Sequence, residues 1–238
     1  MTTASGSRVT TRPVAGVVVA AGSGERLGTK RPKAMIEVRG RPLWQWAAGA
    51  LREAGCDRVV IVVPPAGKWA GQVQQADRRV LVVSGGATRQ ESVRLGLAAL
   101  QPDPPDFVLV HDAARAMAPA DVARRVINML VAGEVAVAPA VPLADTVRQL
   151  GDDFSSRLLD RTSLVGVQTP QGAVFEVLAR AHAAAHGARI QVTDDITLVE
   201  RLRFPVALVD GDPEAFKITT PTDLALARVV AGRRVLAG

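Results

Sequence analysis

The chain has 238 residues, 48% of them hydrophobic and 22% charged, a composition typical of a globular protein with a full core. Residues 1–41 contain eight lysines and arginines against two acidic residues, and this excess accounts for the whole net charge of +6. Aromatic residues make up only 3% of the chain and tyrosine is absent, which argues against a stacking surface for nucleic acid. The local basic segment instead favours small phosphorylated ligands.

Three further features of the composition narrow the class of protein. No apolar run reaches the length of a membrane span, so we expect no membrane partner. Residues 1–13 are rich in serine and threonine and lack the apolar core of a signal peptide, which predicts a disordered tail and a cytoplasmic protein. Cys56 is the only cysteine, which excludes an internal disulfide and a cysteine-based metal cluster.

Taken in chain order, the hydrophobic pattern alternates between strands and helices. Apolar, β-branched runs predict strands at 17–19, 58–63, 80–83, 107–110, 135–141, 146–150, 156–159, 205–209 and 216–218. Helical spacing of apolar residues predicts helices at 43–54, 68–76, 88–100, 119–131, 172–186, 194–202 (capped by Thr193) and 221–230. The alternation favours a mostly parallel α/β sheet with right-handed crossovers, and the segment at about 142–160 predicts a projecting β-hairpin arm.

The segment from Val17 to Lys33 carries the strongest functional signal. Its apolar strand ends in small residues, 20–24, that let a ligand approach the backbone, and it continues with four cations within eight positions: Arg26, Lys30, Arg31 and Lys33. Backbone amides beside fixed cations stabilise a polyphosphate, so we interpret this segment as a triphosphate-binding loop rather than a basic solvated turn. The Walker string is absent, and the dinucleotide-binding pattern lacks its third glycine, which is replaced by Leu27.

Two other polar loops follow predicted strands, at 85–92 and 112–115. Ligands bind at the carboxyl ends of the strands in parallel α/β sheets, so we expect these loops to join the triphosphate-binding loop in one site. Asp112 stands at a strand end, where a carboxylate can hold Mg²⁺ together with substrate phosphates. The alternative for Asp112 is a cap on the following turn.

With these loops in place, the sequence resembles the 2-C-methyl-D-erythritol 4-phosphate cytidylyltransferases from about Val14 to Val230. The resemblance is carried by the segments 20–27, 32–33, 85–93, 110–115, 145–146, 160–161, 168–171, 193–195 and 217–219. It implies a Rossmann-like, three-layer nucleotidyltransferase fold and a single catalytic domain over 14–232. The implied reaction transfers CMP from CTP to 2-C-methyl-D-erythritol 4-phosphate and releases pyrophosphate.

The resemblance also assigns roles to individual residues. The catalytic residues implied are Arg26, Lys33, Arg161 and Lys217. The nucleotide-binding residues implied are Ala20, Ala21, Gly22, Ser23, Gly24, Gly85, Gly86, Arg89 and Ser92. The substrate-binding residues implied are Asp112, Ala113, Arg115, Thr146 and Thr169. Asp112 is the implied Mg²⁺ ligand, with Asp212 favoured over Asp210 as a second one.

In the family, the arm supplies Thr146 and the arginine beyond it to the neighbouring subunit, which implies a homodimer with shared active sites. Two alternatives remain open: cytidylyl transfer to another polyol phosphate, such as ribitol 5-phosphate, and a non-catalytic, nucleotide-binding regulator.

Other polar residues have simpler interpretations. His182 and His186 have helical spacing but no third ligand, which indicates an ordinary surface helix rather than a metal site. His111 is interpreted as a hydrogen-bonded core histidine. Asp194 and Asp195 are interpreted as favourable charges at a helix N-terminus.

Overall fold

The computed structural model describes residues 12–22, 24, 27, 31–65, 69–152 and 155–236. Its strands are β1 Val14–Val19, β2 Glu37–Val38, β3 Arg41–Pro42, β4 Arg58–Val63, β5 Val80–Ser84, β6 Phe107–Asp112, β7 Ala136–Pro142, β8 Arg148–Leu150, β9 Ser156–Leu158, β10 Val165–Val167, β11 Gln171–Val174 and β12 Ala207–Asp210. Its α-helices are α1 Leu43–Glu53, α2 Trp69–Ala76, α3 Arg89–Ala98, α4 Ala120–Val131, α5 Phe175–Gly187, α6 Ile196–Arg201 and α7 Pro221–Leu236.

The predicted, mostly parallel sheet is confirmed. Within the described part of the chain, eight strands form the main sheet, and β6, β1, β4 and β5 are parallel neighbours in that order. Beyond β6, β11 pairs antiparallel with both β6 and β7, while β12 pairs parallel with β7. The carboxyl ends of β1, β5 and β6 therefore open at the same edge of the sheet, which positions the loops that follow them.

Helices cover both faces of the sheet and complete three layers. Buried side chains of α1 and α4, among them Trp44, Leu51 and Leu130, pack with one face of the sheet. Buried side chains of α3, α5 and α6, among them Leu97 and Phe175, pack with the other face. The central strands are apolar on both faces because each face meets a helix layer. No helix within the described ranges is long and apolar enough to cross a membrane.

Several local predictions are corrected by the structure. The helix predicted at 172–186 begins at Phe175, because 171–174 is strand β11, whose short sequence lacks alternation and is fixed by pairing with its neighbours. The segment 216–218 is irregular backbone instead of a strand, and its Ile218 amide donates to the distant Ala114 carbonyl over 2.8 Å. Helix α6 begins at Ile196 instead of Asp194, and the carboxylate of Asp194, not the Thr193 side chain, accepts the Thr197 amide.

A further correction concerns the end of the N-terminal tail. Residues 1–11 lie outside the described residues, but the Pro13 carbonyl accepts the amides of Asp106 and Phe107. Arg12 also places its guanidinium 5.5 Å from the centre of the Phe107 ring. These two residues therefore belong to the folded structure instead of the predicted disordered tail.

The predicted hairpin arm is present. β8 and β9 pair antiparallel as a separate two-stranded sheet, with Arg148 opposite Leu158. The Leu150 and Leu158 side chains are exposed in this chain. The first arm strand begins at Arg148 rather than Thr146, so Thr146 precedes the hairpin.

Candidate active site

A cleft of about 490 Å³ opens at the carboxyl ends of β1, β5 and β6. Eighteen described residues line it, from the ends of these strands, the loops after them, and the segment around Lys217. Of the residues predicted from the sequence, the lining includes Ala20, Ala21, Gly22, Gly24, Lys33, Gly86, Arg89, Ser92, Asp112, Ala113 and Lys217. The expectation that the three loops meet at one edge is therefore confirmed for these residues.

The loop after β1 turns back on itself at the cleft. The Lys33 amide donates to the Gly22 carbonyl over 3.2 Å, and the Leu27 amide donates to the Gly24 carbonyl over 2.9 Å. Gly24 has a φ of +82°, and a Cβ there would lie 3.0 Å from the Lys33 nitrogen, so only glycine suits this position. These bonds bring Lys33 beside Gly22. The predicted contributions of Ser23 and Arg26 lie outside the described residues.

The loop after β5 is held by Ser92, which lies in α3. The Ser92 hydroxyl accepts the Gly86 amide over 3.1 Å and donates to the Thr88 carbonyl over 2.9 Å. A Cβ at Gly85 would lie 2.7 Å from the Ser92 oxygen, so the glycine lets the loop pack against the helix. Thr88 caps α3 by accepting the Glu91 amide. Ser92 therefore shapes the loop, and its predicted contact with base or ribose stays a prediction.

Asp112, at the end of β6, is the centre of charge in the cleft. Arg89 Nε lies 2.9 Å from its Oδ1, and Lys217 Nζ lies 2.8 Å from its Oδ2. Burial alone would raise the pKa of this carboxyl, but the two cations outweigh burial and hold it well below its usual range. Asp112 is therefore ionised at neutral pH and pairs with one cation through each oxygen.

The backbone of Asp112 is fixed from behind the cleft by Thr169. The Thr169 hydroxyl accepts the Asp112 amide over 3.1 Å and lies 2.9 Å from His111 Nδ1. Burial lowers the pKa of His111 to about 4, so this histidine is neutral at pH 7. The interpretation of His111 as a hydrogen-bonded core residue is confirmed.

A further set of charges behind Arg89 was not anticipated from the sequence. Arg89 Nη2 donates to Asp195 Oδ2 over 2.8 Å, and Asp195 Oδ1 lies 3.1 Å from His182 Nε2. Both Asp195 and His182 are buried. The prediction that His182 lies on a surface helix is therefore wrong, and Asp195 pairs with Arg89 and His182 in addition to lying at a helix N-terminus.

Six other residues with predicted roles do not line the cleft of this chain: Gly85, Arg115, Thr146, Arg161, Thr169 and Asp212. Arg115 Nη1 donates to the Ala215 carbonyl over 2.7 Å, which fastens the segment that leads to Lys217. Arg161 donates to the Ala144 carbonyl at the base of the arm. The Asp212 carboxylate caps a short turn by accepting the Glu214 amide over 2.7 Å. Their predicted roles toward ligands stay predictions.

The donor set of the cleft suits a Mg²⁺ ion that is held mainly by phosphates. Among the described residues, no group of three or more histidine, cysteine or acidic side chains could enclose a metal ion. Mg²⁺ commonly uses one or two carboxylates together with substrate phosphates, and Asp112 offers one ionised carboxylate at the cleft. The chemistry of Asp112 therefore fits the predicted ion.

The parallel strands, the glycine-rich loop and the lysine–aspartate–arginine cluster together define an α/β nucleotidyltransferase. Residues 14–233 match the family model described as 2-C-methyl-D-erythritol 4-phosphate cytidylyltransferase. The chain belongs to this family, as the sequence motifs implied.

Proteins similar to this chain in sequence and in structure carry the name of the same family. Proteins named 2-C-methyl-D-erythritol 4-phosphate cytidylyltransferase are 46% identical in Nocardia farcinica (strain IFM 10152) and 44% identical in Rhodococcus jostii (strain RHA1). The matches cover 93% and 92% of this chain, respectively, and 95% of each relative. The crystal structure of the Thermus thermophilus protein of the same name has 34% identity and a TM-score of 0.76, covering 91% of this chain and 98% of that one.

Proposed function

We propose that this protein transfers CMP from CTP to 2-C-methyl-D-erythritol 4-phosphate, with release of pyrophosphate, as a Mg²⁺-dependent homodimer. Membership of the family supports the reaction. The observation that carries the proposal is the Asp112 cluster, in which one ionised carboxylate pairs with Arg89 and Lys217 inside a cleft that a glycine-rich loop and Lys33 complete. Simple nucleotide binding does not require so many charges at one point.

The chain's own groups can perform the chemistry by positioning and charge neutralisation. The reaction joins two anions, because a phosphate oxygen of the polyol phosphate attacks the α-phosphate of CTP. Lys33 and Lys217 line the same cleft, so their charges would offset the negative charge that grows on the phosphates. Backbone amides of the Gly22 and Gly86 loops lie at the same edge and would hold the nucleotide in line.

Asp112 would hold the Mg²⁺ ion, which supplies further neutralisation of the phosphate charges when it is bound. In the free protein, Lys217 occupies one oxygen of Asp112 at 2.8 Å. Lys217 is partly exposed, so it can turn from Asp112 to a phosphate without unfolding its surroundings. Asp212 as a second ligand and a cytoplasmic location stay predictions.

The arm supports the homodimer part of the proposal. Thr146 and Arg161 do not line the cleft of their own chain, although the family resemblance assigns both to the substrate. The hairpin forms its own small sheet with exposed leucines, Leu150 and Leu158, and a lone hairpin needs a surface to pack on. A second copy of the chain would cover these leucines and receive Arg161 in its cleft.

Pyrophosphate release from CTP and Mg²⁺ tests the reaction. We expect release with 2-C-methyl-D-erythritol 4-phosphate and a much lower kcat/KM with ribitol 5-phosphate. Faster turnover of ribitol 5-phosphate would identify the alternative polyol substrate. CTP binding without pyrophosphate release with either substrate would favour the non-catalytic regulator and contradict the proposal.

Mixing two inactive variants tests the shared site. Lys33→Ala and Arg161→Ala homodimers should both be nearly inactive, since every site lacks one charge. After subunit exchange, half of the dimers are mixed, and each mixed dimer contains one intact site and one doubly defective site, so about a quarter of the sites should recover. With exchange verified independently, activity that stays at the level of the separate variants would contradict a shared site.

A further inference from the structure

Asp195 is a buried carboxylate that supports the active site from behind. It is 2% exposed and does not line the cleft, so it cannot contact a ligand there. Its partner Arg89 does line the cleft and lies 106 residues away in sequence. Any influence of Asp195 on the reaction must therefore pass through Arg89.

Three elements fix the position of the Asp195 carboxylate. The Asp195 residue precedes α6, and its backbone amide donates to Gln171 Oε1 in β11 over 3.1 Å. Its Oδ1 lies 3.1 Å from Nε2 of His182 in α5. Its Oδ2 accepts from Arg89 Nη2 in α3 over 2.8 Å. Both oxygens are engaged, so the carboxylate has one defined orientation toward Arg89.

This orientation divides the donors of Arg89 between two carboxylates. Arg89 Nε contacts only Oδ1 of Asp112, at 2.9 Å, while Nη2 is drawn to Asp195. A guanidinium beside a single carboxylate commonly contacts both of its oxygens with two parallel hydrogen bonds. Here the second oxygen of Asp112 is left for Lys217, whose Nζ lies 2.8 Å away.

We propose that Asp195, fixed by His182, is a positioning residue that keeps Arg89 on one oxygen of Asp112 and so leaves the other oxygen to Lys217. Without the Asp195 charge, Arg89 turns toward Asp112 and contacts both oxygens, and Lys217 loses its place. The inference rests on the proposed function, because it concerns the same site.

A double-mutant cycle on kcat/KM tests this inference. Asp195→Asn should lower kcat/KM by about 10- to 100-fold, mostly through kcat, because displaced charges fit the transition state poorly. In the Arg89→Gln background, the same Asp195→Asn change should alter kcat/KM by less than about twofold, since the group through which Asp195 acts is gone. If Asp195→Asn lowered kcat/KM by the same factor in both backgrounds, its role would be generally structural and the inference would be overturned. Unchanged kinetics of Asp195→Asn in the otherwise unaltered protein would overturn it as well.

Asp194→Asn is the matched control. Asp194 is the neighbouring carboxylate, and it accepts the Thr197 amide without contacting Arg89. This variant should keep the kinetics of the unaltered protein, and a loss equal to that of Asp195→Asn would also overturn the inference. Thermal melting shows which variants fold. If Arg89→Gln does not fold, the uncharged variant Arg89→Met replaces it in the cycle. If Asp195→Asn does not fold, His182→Gln replaces it.

The activity of the unaltered protein separates this inference from the proposed function. If the protein releases no pyrophosphate with CTP and any polyol phosphate, the proposed function fails. The same cycle is then measured by calorimetry of CTP binding, where non-additive losses support the positioning role and additive losses overturn it.

Discussion

Replacing Thr169 by valine preserves the shape of the side chain and removes a buried hydroxyl. The side chain is almost fully enclosed, and its hydroxyl contacts the Asp112 amide at 3.1 Å and His111 Nδ1 at 2.9 Å. The family resemblance implies that Thr169 binds substrate, whereas the structure shows it fastening the end of β6 from behind. The Thr169→Val variant separates these two interpretations.

The expected loss of stability follows from the two hydrogen-bond contacts of the Thr169 hydroxyl. Leaving the buried Asp112 amide without an acceptor costs about 1–3 kcal/mol, and losing the contact with His111 adds about 1 kcal/mol. The expected loss of unfolding free energy is therefore about 2–4 kcal/mol. For a protein of 150–250 residues, each kcal/mol shifts Tm by roughly 2–4 °C, so Tm should fall by roughly 4–16 °C. Asp112 loses its backbone anchor, so kcat should fall as well.

Calorimetric melting and steady-state kinetics together provide the assay. Thr162→Val is the control, because its hydroxyl contacts Asp160 on an exposed turn, and its Tm should change by less than about 2 °C. Thr169→Val could instead melt like the unaltered chain and raise only the KM for the polyol phosphate. This result would contradict the role of Thr169 in anchoring the Asp112 backbone. That result would instead place the hydroxyl in contact with the substrate.

Three further predictions concern charged side chains. Lys33→Ala should lower kcat by about 10²–10³ with a smaller loss of CTP affinity, because a charge matched to the transition state acts mainly on turnover; equal losses in calorimetric and kinetic measurements would indicate a ground-state contact. Asp112→Asn should raise the Mg²⁺ concentration needed for half-maximal activity, and an unchanged Mg²⁺ titration would exclude it as a ligand. Burial opposes ionisation of Asp77, yet its bonds to Arg79 and Arg52 lower its pKa from 3.8 to about 2. The stabilisation that the ionised Asp77 gives the folded protein is then complete above pH 3.8 and is lost as the pH falls through about 2. Asp77→Asn should therefore lower the free energy of unfolding by about 1–2 kcal/mol at pH 7 and leave it unchanged near pH 1, as measured by denaturant titration. An equal loss at both pH values would contradict an origin in the Asp77 charge.

The parallel strands and the cleft at their carboxyl ends could be predicted from sequence because the signals are local. β4 spans Arg58–Val63 as predicted, since an apolar run bounded by turn residues is sufficient to define a buried strand. Gly22 follows β1, Asp112 ends β6 and Arg89 opens the helix after β5. Ligands bind at the carboxyl ends of parallel strands, so the sequence places these three residues in one site. Strand β11 carries no such local signal, because its short run is extended only through pairing with β6 and β7.

Asp195 shows why the rest of the site could not be predicted in the same way. A carboxylate at a helix N-terminus is explained by the helix alone, so the local pattern gave no reason to look for a distant partner. One signal was nevertheless present: the sequence has two adjacent carboxylates where a single cap suffices. Asp194 caps α6 through the Thr197 amide, which leaves Asp195 without a local role and free to pair with Arg89. A charged residue that local structure does not need is therefore a candidate for a long-range ion pair, because a buried carboxylate must find a partner somewhere in the fold.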